Sequence, residues 1–254
     1  MTIKQDYIGV FDSGVGGISV LRHLRSELPN ERFLYFGDSA NAPYGTRPTE
    51  EIRALTLAAA RKLMDRGCKA LVVACNTATA AAIEDLRLQY PDKIIIGIEP
   101  ALKIASDRFP GGAVGVMATP ATLREAKFAR LLSRFEDHCR VVKLPAAGLV
   151  ELVEAGKGNS PEAEALLQPL LAPYQNQLSA VVLGCTHYPF AARTISKLLG
   201  ENTVLLDGGA GTARETHRRL AQADLLNDGE GEILIENSAN APQITARCWA
   251  LLED

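Results

Sequence analysis

Two cysteines end near-copies of one phrase, Ala70-Leu71-Val72-Val73-Ala74-Cys75-Asn76-Thr77 and Ala180-Val181-Val182-Leu183-Gly184-Cys185-Thr186-His187. In each, a short apolar run rich in β-branched residues reads as a buried parallel strand, with the thiol where the strand stops. Open parallel sheets place their ligand crevice beyond the carboxyl ends of their strands, so both sulfurs are delivered to such an edge with hydroxyl and amide donors behind them. Two edges facing one another would set a thiol on either side of a bound carbon. That arrangement can take a proton from one face and return one to the other. A free thiol has a pKa of about 8.5 and only its thiolate is basic, so each sulfur needs a partner; Asp12 is the candidate for Cys75 and His187 for Cys185. Cys68, Cys139 and Cys248 sit in no comparable constellation and read as small buried apolar residues.

Asp12-Ser13-Gly14-Val15-Gly16-Gly17 falls between a strand pattern and a helix pattern, where free amides and the positive helix end favour an anion. The G-x-G-x-x-G spacing of a dinucleotide site is absent, and so is the lysine of a P-loop. A Cys/His pair can also serve a nucleophilic hydrolase, but that chemistry uses one sulfur and leaves the second unexplained. Thiol–disulfide exchange needs sulfurs that can approach to about 2 Å, which a carbon held between them forbids. No lysine follows a glycine/serine loop in the manner of a pyridoxal phosphate attachment, so no cofactor is expected.

The elements that must position these groups alternate along the chain as βα units, the pattern of an α/β fold on parallel sheets. Tyr7–Phe11 reads as a strand, 18–28 as a helix with Ile18, Leu21, Leu24 and Leu28 on one face, and Arg32–Phe36 as the next strand. Thr49 is expected as the N-cap of a long helix that has Glu50 and Glu51 in its first turn and stops at Gly67. After a strand at Lys93–Gly97 and a helix from about Pro100, Pro110-Gly111-Gly112 punctuates the chain and the order begins again. Val114-Gly115-Val116-Met117-Ala118-Thr119 echoes Ile8-Gly9-Val10-Phe11-Asp12-Ser13, and Thr119-Pro120 starts a helix with proline at its first position. Gly9 precedes Cys75 by nearly the same distance as Gly115 precedes Cys185, which suggests a duplication. The expected architecture is two pseudo-symmetric α/β lobes with mainly parallel sheets and an active site in the cleft between them. Residues 1–98 with 208–254 would form the Cys75 lobe and 99–207 the Cys185 lobe, the tail returning to the first through a strand at Glu232–Asn237.

A chain of 254 residues with 47% hydrophobic content can bury a sizeable core. Its net charge of −3, without a lysine/arginine block, gives no field for nucleic acid. Five cysteines without a C-x-x-C, together with an opening stretch that lacks an apolar leader, are expected of a reduced, cytoplasmic protein. No run approaches the roughly 20 apolar residues of a membrane helix, and no histidine falls in a metal-ligand spacing. Neither a membrane nor a metal is expected, and the ligand should be small.

Taken together, Asp12-Ser13-Gly14-Val15-Gly16-Gly17, Pro43-Tyr44-Gly45, Cys75-Asn76-Thr77 and Cys185-Thr186-His187-Tyr188-Pro189 resemble the glutamate racemases of the aspartate/glutamate racemase superfamily, over Ile8 to about Leu220. Superfamily members for aspartate or hydantoins share the paired cysteines but not usually the combined set. The resemblance implies a cofactor-independent interconversion of L- and D-glutamate that supplies D-glutamate for peptidoglycan. It implies that Cys75 works on the D-face and Cys185 on the L-face, with Asp12 and His187 assisting. Asp12, Ser13, Tyr44, Gly45, Asn76, Thr77, Thr186 and His187 are implied to hold the substrate's ammonium and carboxylates. Asp38, Thr119 and Glu154 are implied as accessory positions, although Ala146-Ala147-Gly148 replaces the commoner Cys-Pro sequence upstream of Glu154. A monomer or homodimer fits equally, and some branches of the family take a cell-wall precursor as activator. A racemase for aspartate or another amino acid, and a hinged amino-acid-binding protein without catalysis, remain the alternatives.

Overall fold

The computed structural model describes residues 6–135 and 138–253; residues 1–5, read above as carrying no apolar leader, lie outside the described residues. The strands are β1 (Tyr7–Asp12), β2 (Arg32–Gly37), β3 (Ala70–Val73), β4 (Ile94–Gly97), β5 (Ala113–Ala118), β6 (Arg140–Pro145), β7 (Ala180–Leu183), β8 (Val204–Asp207) and β9 (Glu232–Asn237). The helices are α1 (Ile18–Glu27), α2 (Thr49–Asp65), α3 (Asn76–Gln89), α4 (Leu102–Arg108), α5 (Pro120–Arg124), α6 (Ala126–Ser133), α7 (Leu149–Glu154), α8 (Pro161–Leu171), α9 (Ala192–Leu199), α10 (Gly209–Gln222) and α11 (Pro242–Glu253).

Two sheets result, ordered β4-β3-β1-β2-β9 and β6-β5-β7-β8, and every strand pairing among the described residues is parallel. Read from β8, the second sheet repeats the first without its last strand. The repetition extends to register: Ile8 faces Ala70 across β1 and β3, and Val114 faces Ala180 across β5 and β7. Even the step beyond each strand is copied, since Ala74 N–H donates to Phe11 O at 2.8 Å and Gly184 N–H to Met117 O at 2.7 Å. A cysteine follows each of these residues, so both thiols leave their sheets at the same structural position.

The central strands are apolar on both faces because both faces are covered. Val10 and Val72 pack toward α1 and α10, whereas Phe11, Leu71 and Val73 pack toward α2 and α3. In the second sheet Val116 and Val182 face α4 and α6, while Met117, Val181 and Leu183 face α7, α8 and α9. The tail returns as expected, with β9 pairing β2 in full register from Glu232 opposite Arg32 to Asn237 opposite Gly37.

Thr49 is not the cap of α2. Pro48 holds that position and Thr49 is the first helical residue, its hydroxyl donating to Glu125 Oε1 at 2.6 Å instead. A contact with a residue far along the chain outcompetes the local cap. Gly67, with φ of +79°, does stop the helix in the left-handed conformation glycine tolerates.

One buried ion pair pins the return of the tail. Lys69 Nζ lies 2.7 Å from Glu31 Oε2, with side-chain exposures of 10% and 1%, although off hydrogen-bond alignment, so the attraction is one of charge. Glu31 Oε1 accepts from Asn227 N–H at 2.8 Å and Lys69 Nζ donates to Leu225 O at 2.6 Å, fastening the connection between α10 and β9. Lys69→Met removes one charge and strands the other. Breaking a buried pair in this way costs about 3–5 kcal/mol, so urea unfolding of the variant should show a loss of that size with an unchanged slope.

Candidate active site

Cys75 is the N-cap of α3, in extended backbone, and its sulfur accepts Ala78 N–H at 3.4 Å. Ser13 Oγ stands 3.6 Å from the same sulfur. Both contacts favour a thiolate, but burial outweighs them and the nearby Asp12 charge adds to it, so the Cys75 thiol is pushed up to about 12. Cys75 therefore rests protonated. Cys185 is set differently: no α-helix starts behind it, and its sulfur lies 3.7 Å from His187 Nδ1. The other imidazole nitrogen, Nε2, is 2.7 Å from Glu154 Oε1. Burial works against charge on His187, yet the contacts with Cys185 and Glu154 and their charges prevail, and its pKa is raised well above the ordinary histidine value. Burial likewise opposes charge on Glu154, and the His187 bond, the His187 charge and the Val15 amide reverse the balance and lower it.

Asp12 joins the two halves. It is fully buried, accepting Gly14 N–H on Oδ1 and the Thr186 hydroxyl on Oδ2, both at 2.9 Å. Desolvation raises its pKa, with His187 and these two donors opposing. Ser19 Oγ adds a second tie by donating to Thr186 O at 2.9 Å. The glycine turn thus spends two amides on the protein's own carboxylates, Gly14 N–H on Asp12 and Val15 N–H on Glu154 at 2.8 Å. The anion expected at this turn from its sequence is supplied, at those amides, from within the chain.

Charge on Cys185 acts on Cys75, so the two sulfurs belong to one electrostatic neighbourhood, and both are buried, at 5% and 7% exposure. Tyr44 and Gly45 lie in a 3-10 turn, with Tyr44 OH donating to Asp38 Oδ2 at 2.6 Å. Asp38 reaches the cluster through this tyrosine and also accepts from Asn41 Nδ2. Gly45 fits against Thr119; a Cβ there would stand 2.8 Å from the Thr119 Cβ. Thr77, Thr119 and Thr122 form a triangle of hydroxyls with edges of 3.1, 2.9 and 3.0 Å across the boundary between the two halves. Asn76 Oδ1, buried beside Cys75, has no hydrogen-bond partner among the described residues. It is a ready acceptor for an ammonium group.

Thr122 and Tyr35 were not among the residues singled out from sequence. Thr122 had a signal, standing three residues after the N-cap Thr119, which accepts its N–H at 3.2 Å. Tyr35 had none: its hydroxyl donates to Gly14 O at 2.6 Å, a contact that only the pairing of β1 with β2 creates. One concavity of about 400 Å³ near Arg87, Lys103 and Arg219 holds none of these residues, and another of about 220 Å³ between Glu84 and Arg134 reaches the site only at Asn76 and Thr122. Neither contains a thiol, and the chemistry points to the closed junction instead. Among the described residues, no group of three or more His, Cys, Asp and Glu side chains could hold a metal ion, and no helix is long and apolar enough to cross a membrane.

The Asp/Glu/Hydantoin racemase family model matches residues 8–216. A glutamate racemase of Clostridium novyi is 50% identical over 241 residues, covering 94% of this chain and 93% of the relative. Among solved structures, Escherichia coli glutamate racemase in complex with L-glutamate and the activator UDP-MurNAc-Ala superposes with a TM-score of 0.85 at 31% identity, covering 97% of this chain and 94% of that one. Glutamate racemase from Francisella tularensis in complex with D-glutamate gives 0.85 at 28% identity, with 98% and 95% covered.

Proposed function

Because the chain belongs to the Asp/Glu/Hydantoin racemase family, we propose that it is a cofactor-independent glutamate racemase that moves the α-proton between Cys75 and Cys185 and supplies D-glutamate for peptidoglycan in the cytoplasm. The observation that carries the reading is the repeated geometry of the sulfurs. Each follows the strand that pairs with the first strand of its sheet, and the Asp12–Thr186 hydrogen bond ties the end of β1, the neighbour of β3, to the residue after Cys185. We take residues 1–98 with 208–254 as one lobe and 99–207 as the other, a division that keeps each sheet whole.

With L-glutamate bound, the Cys185 sulfur takes the α-proton: the C–H bond breaks, an S–H bond forms and the electron pair stays on the substrate. Cys75, held as a thiol, then gives its proton to the opposite face, and its S–H bond becomes the new C–H bond of D-glutamate. The reverse direction exchanges the two roles. One turnover leaves Cys185 as the thiol and Cys75 as the thiolate; His187, bonded to Glu154, takes the Cys185 proton, and Cys75 regains one from solvent when the product leaves. Such a proton is very weakly acidic, and each tenfold in rate requires about 1.4 kcal/mol of transition-state stabilisation. Donors fixed around the α-carboxylate, drawn from the Asn76 side-chain amide and the backbone N–H groups of Thr77 and Thr186, and exclusion of water at a closed junction are the available sources. Asn76 Oδ1 and the Asp12 carboxylate suit the ammonium, and the Tyr44–Gly45 turn with Ser13 suits the side-chain carboxylate. A cell-wall precursor is the class of activator this reading carries over, supported by the UDP-MurNAc-Ala held by the E. coli protein.

The test is to incubate the purified chain with L-glutamate in D₂O without added cofactor, following optical rotation and α-deuteration. Loss of rotation with one deuterium entering the inverted product is expected. A chain that racemises L-aspartate but not L-glutamate, or binds glutamate without exchange, overturns the proposal.

A further inference from the structure

We infer that Gly14 is a positioning residue for the Cys185 half of the reaction: the space left by its missing side chain is the seat of the Glu154 carboxylate. The inference rests on the two-thiol reading above. A Cβ built on Gly14 would lie 1.9 Å from Glu154 Oε1 and 2.9 Å from its Cδ. The backbone of Gly14 lies outside the left-handed region, so only room, not conformation, calls for glycine. Two residues on, a Cβ on Gly16 would lie 2.3 Å from His187 Nδ1. The turn also supplies the bond that orients the carboxylate, Val15 N–H to Oε1 at 2.8 Å, and is itself fixed by Tyr35 OH on Gly14 O at 2.6 Å.

Glu154 ends α7 beside the second sheet, whereas Gly14 follows β1 of the first. The acid–imidazole pair that serves Cys185 is therefore held in place by the other half of the molecule. Cys75 instead takes its hydrogen-bond contacts, Ala78 N–H and Ser13, from within its own half. Bringing the halves together seats the acid–imidazole pair beside Cys185, while the hydrogen-bond contacts of Cys75 are made within one half.

Gly14→Ala tests this well because the displaced atoms are the mobile end of a glutamate side chain, so a melting temperature within a few degrees of the parent is expected. Racemisation should fall by about 10²-fold, the lower end of what a positioned acid–base group contributes. An equilibrium constant of one makes kcat/KM equal in both directions, so the discriminating readout is the primary isotope effect. With the Cys185 step slowed, the effect measured on L-[2-²H]glutamate should rise and that on D-[2-²H]glutamate should fall. A general loosening of the site lowers the rate and leaves the ratio of the two effects unmoved. In a Glu154→Ala background the same change should cost nothing further, because the carboxylate it displaces is gone. Should G14A fail to fold, recovery of the fold in G14A/E154A supports the seat equally. An unmoved isotope-effect ratio, or an equal cost in both backgrounds, overturns the inference. A parent chain that does not racemise glutamate at all instead sinks the underlying reading, so the two failures are distinguishable.

Discussion

Cys75→Ala and Cys185→Ala should each reduce racemisation by about 10³–10⁴-fold, the upper part of the 10²–10⁴ range of a positioned acid or base, because each removes the atom that exchanges the proton with the carbon. Inversion needs removal on one face and delivery on the other, so the losses do not add: either variant alone stops the cycle. Folding should survive both changes. The Cys75 sulfur caps α3 by accepting a single N–H at 3.4 Å, and losing a cap costs typically about 1 kcal/mol. Alanine at 185 leaves the backbone of the turn, which Tyr188 fixes by donating to Ala146 O at 3.0 Å. Exchange without inversion is the informative residue of activity. In D₂O, the thiol that remains can still remove and return a proton on its own face, so deuterium should enter one enantiomer without loss of rotation. Polarimetry alongside mass measurement separates the two processes. Parental racemisation by either single variant would falsify the two-base scheme.

The cysteines were legible from sequence because the physics that places them is local. A short apolar run of β-branched residues bounded by polar donors announces a buried strand and its end within eight residues, and the echo of that phrase announced the duplicated sheet. The strand at Glu232–Asn237 was legible for the same reason. What the sequence concealed are contacts made by the duplication itself. Asp12 was assigned to Cys75, yet its hydrogen-bond partners are Gly14 and Thr186, the latter 174 residues away; it acts on Cys75 through charge alone. The two mouths were read as matched, but only Cys75 stands at a helix N-terminus, whereas Cys185 leads into a 3-10 turn and depends on an imidazole. The glycine turn read as an anion cradle because free amides at a helix start have no preference for whose carboxylate they bind. Which one arrives is decided by how the two sheets meet, and periodicity within either sheet carries no trace of that.

His187→Asn should cost racemisation about 10²–10⁴-fold, since it takes away the group 3.7 Å from the Cys185 sulfur that can carry its proton. The isotope effects should shift as for G14A, larger on the L-substrate and smaller on the D-substrate. The same variant exposes a pH signature in stability. The raised pKa of His187 means that its stabilising contribution is complete below the unfolded histidine value of 6.5 and is lost as pH rises through the folded value. For Glu154, whose pKa is lowered, the contribution is complete above the unfolded value of 4.5 and is lost as pH falls through the folded one. Both conditions hold between those unfolded values, so the melting temperature of the parent should exceed that of H187N by most between about pH 4.5 and 6.5. The gap should narrow on either side, and thermal unfolding across pH measures it. A gap that stays constant with pH would mean that His187 contributes packing but no charge, in which case the imidazole cannot be the proton carrier for Cys185 and the asymmetry between the two thiols would need another source.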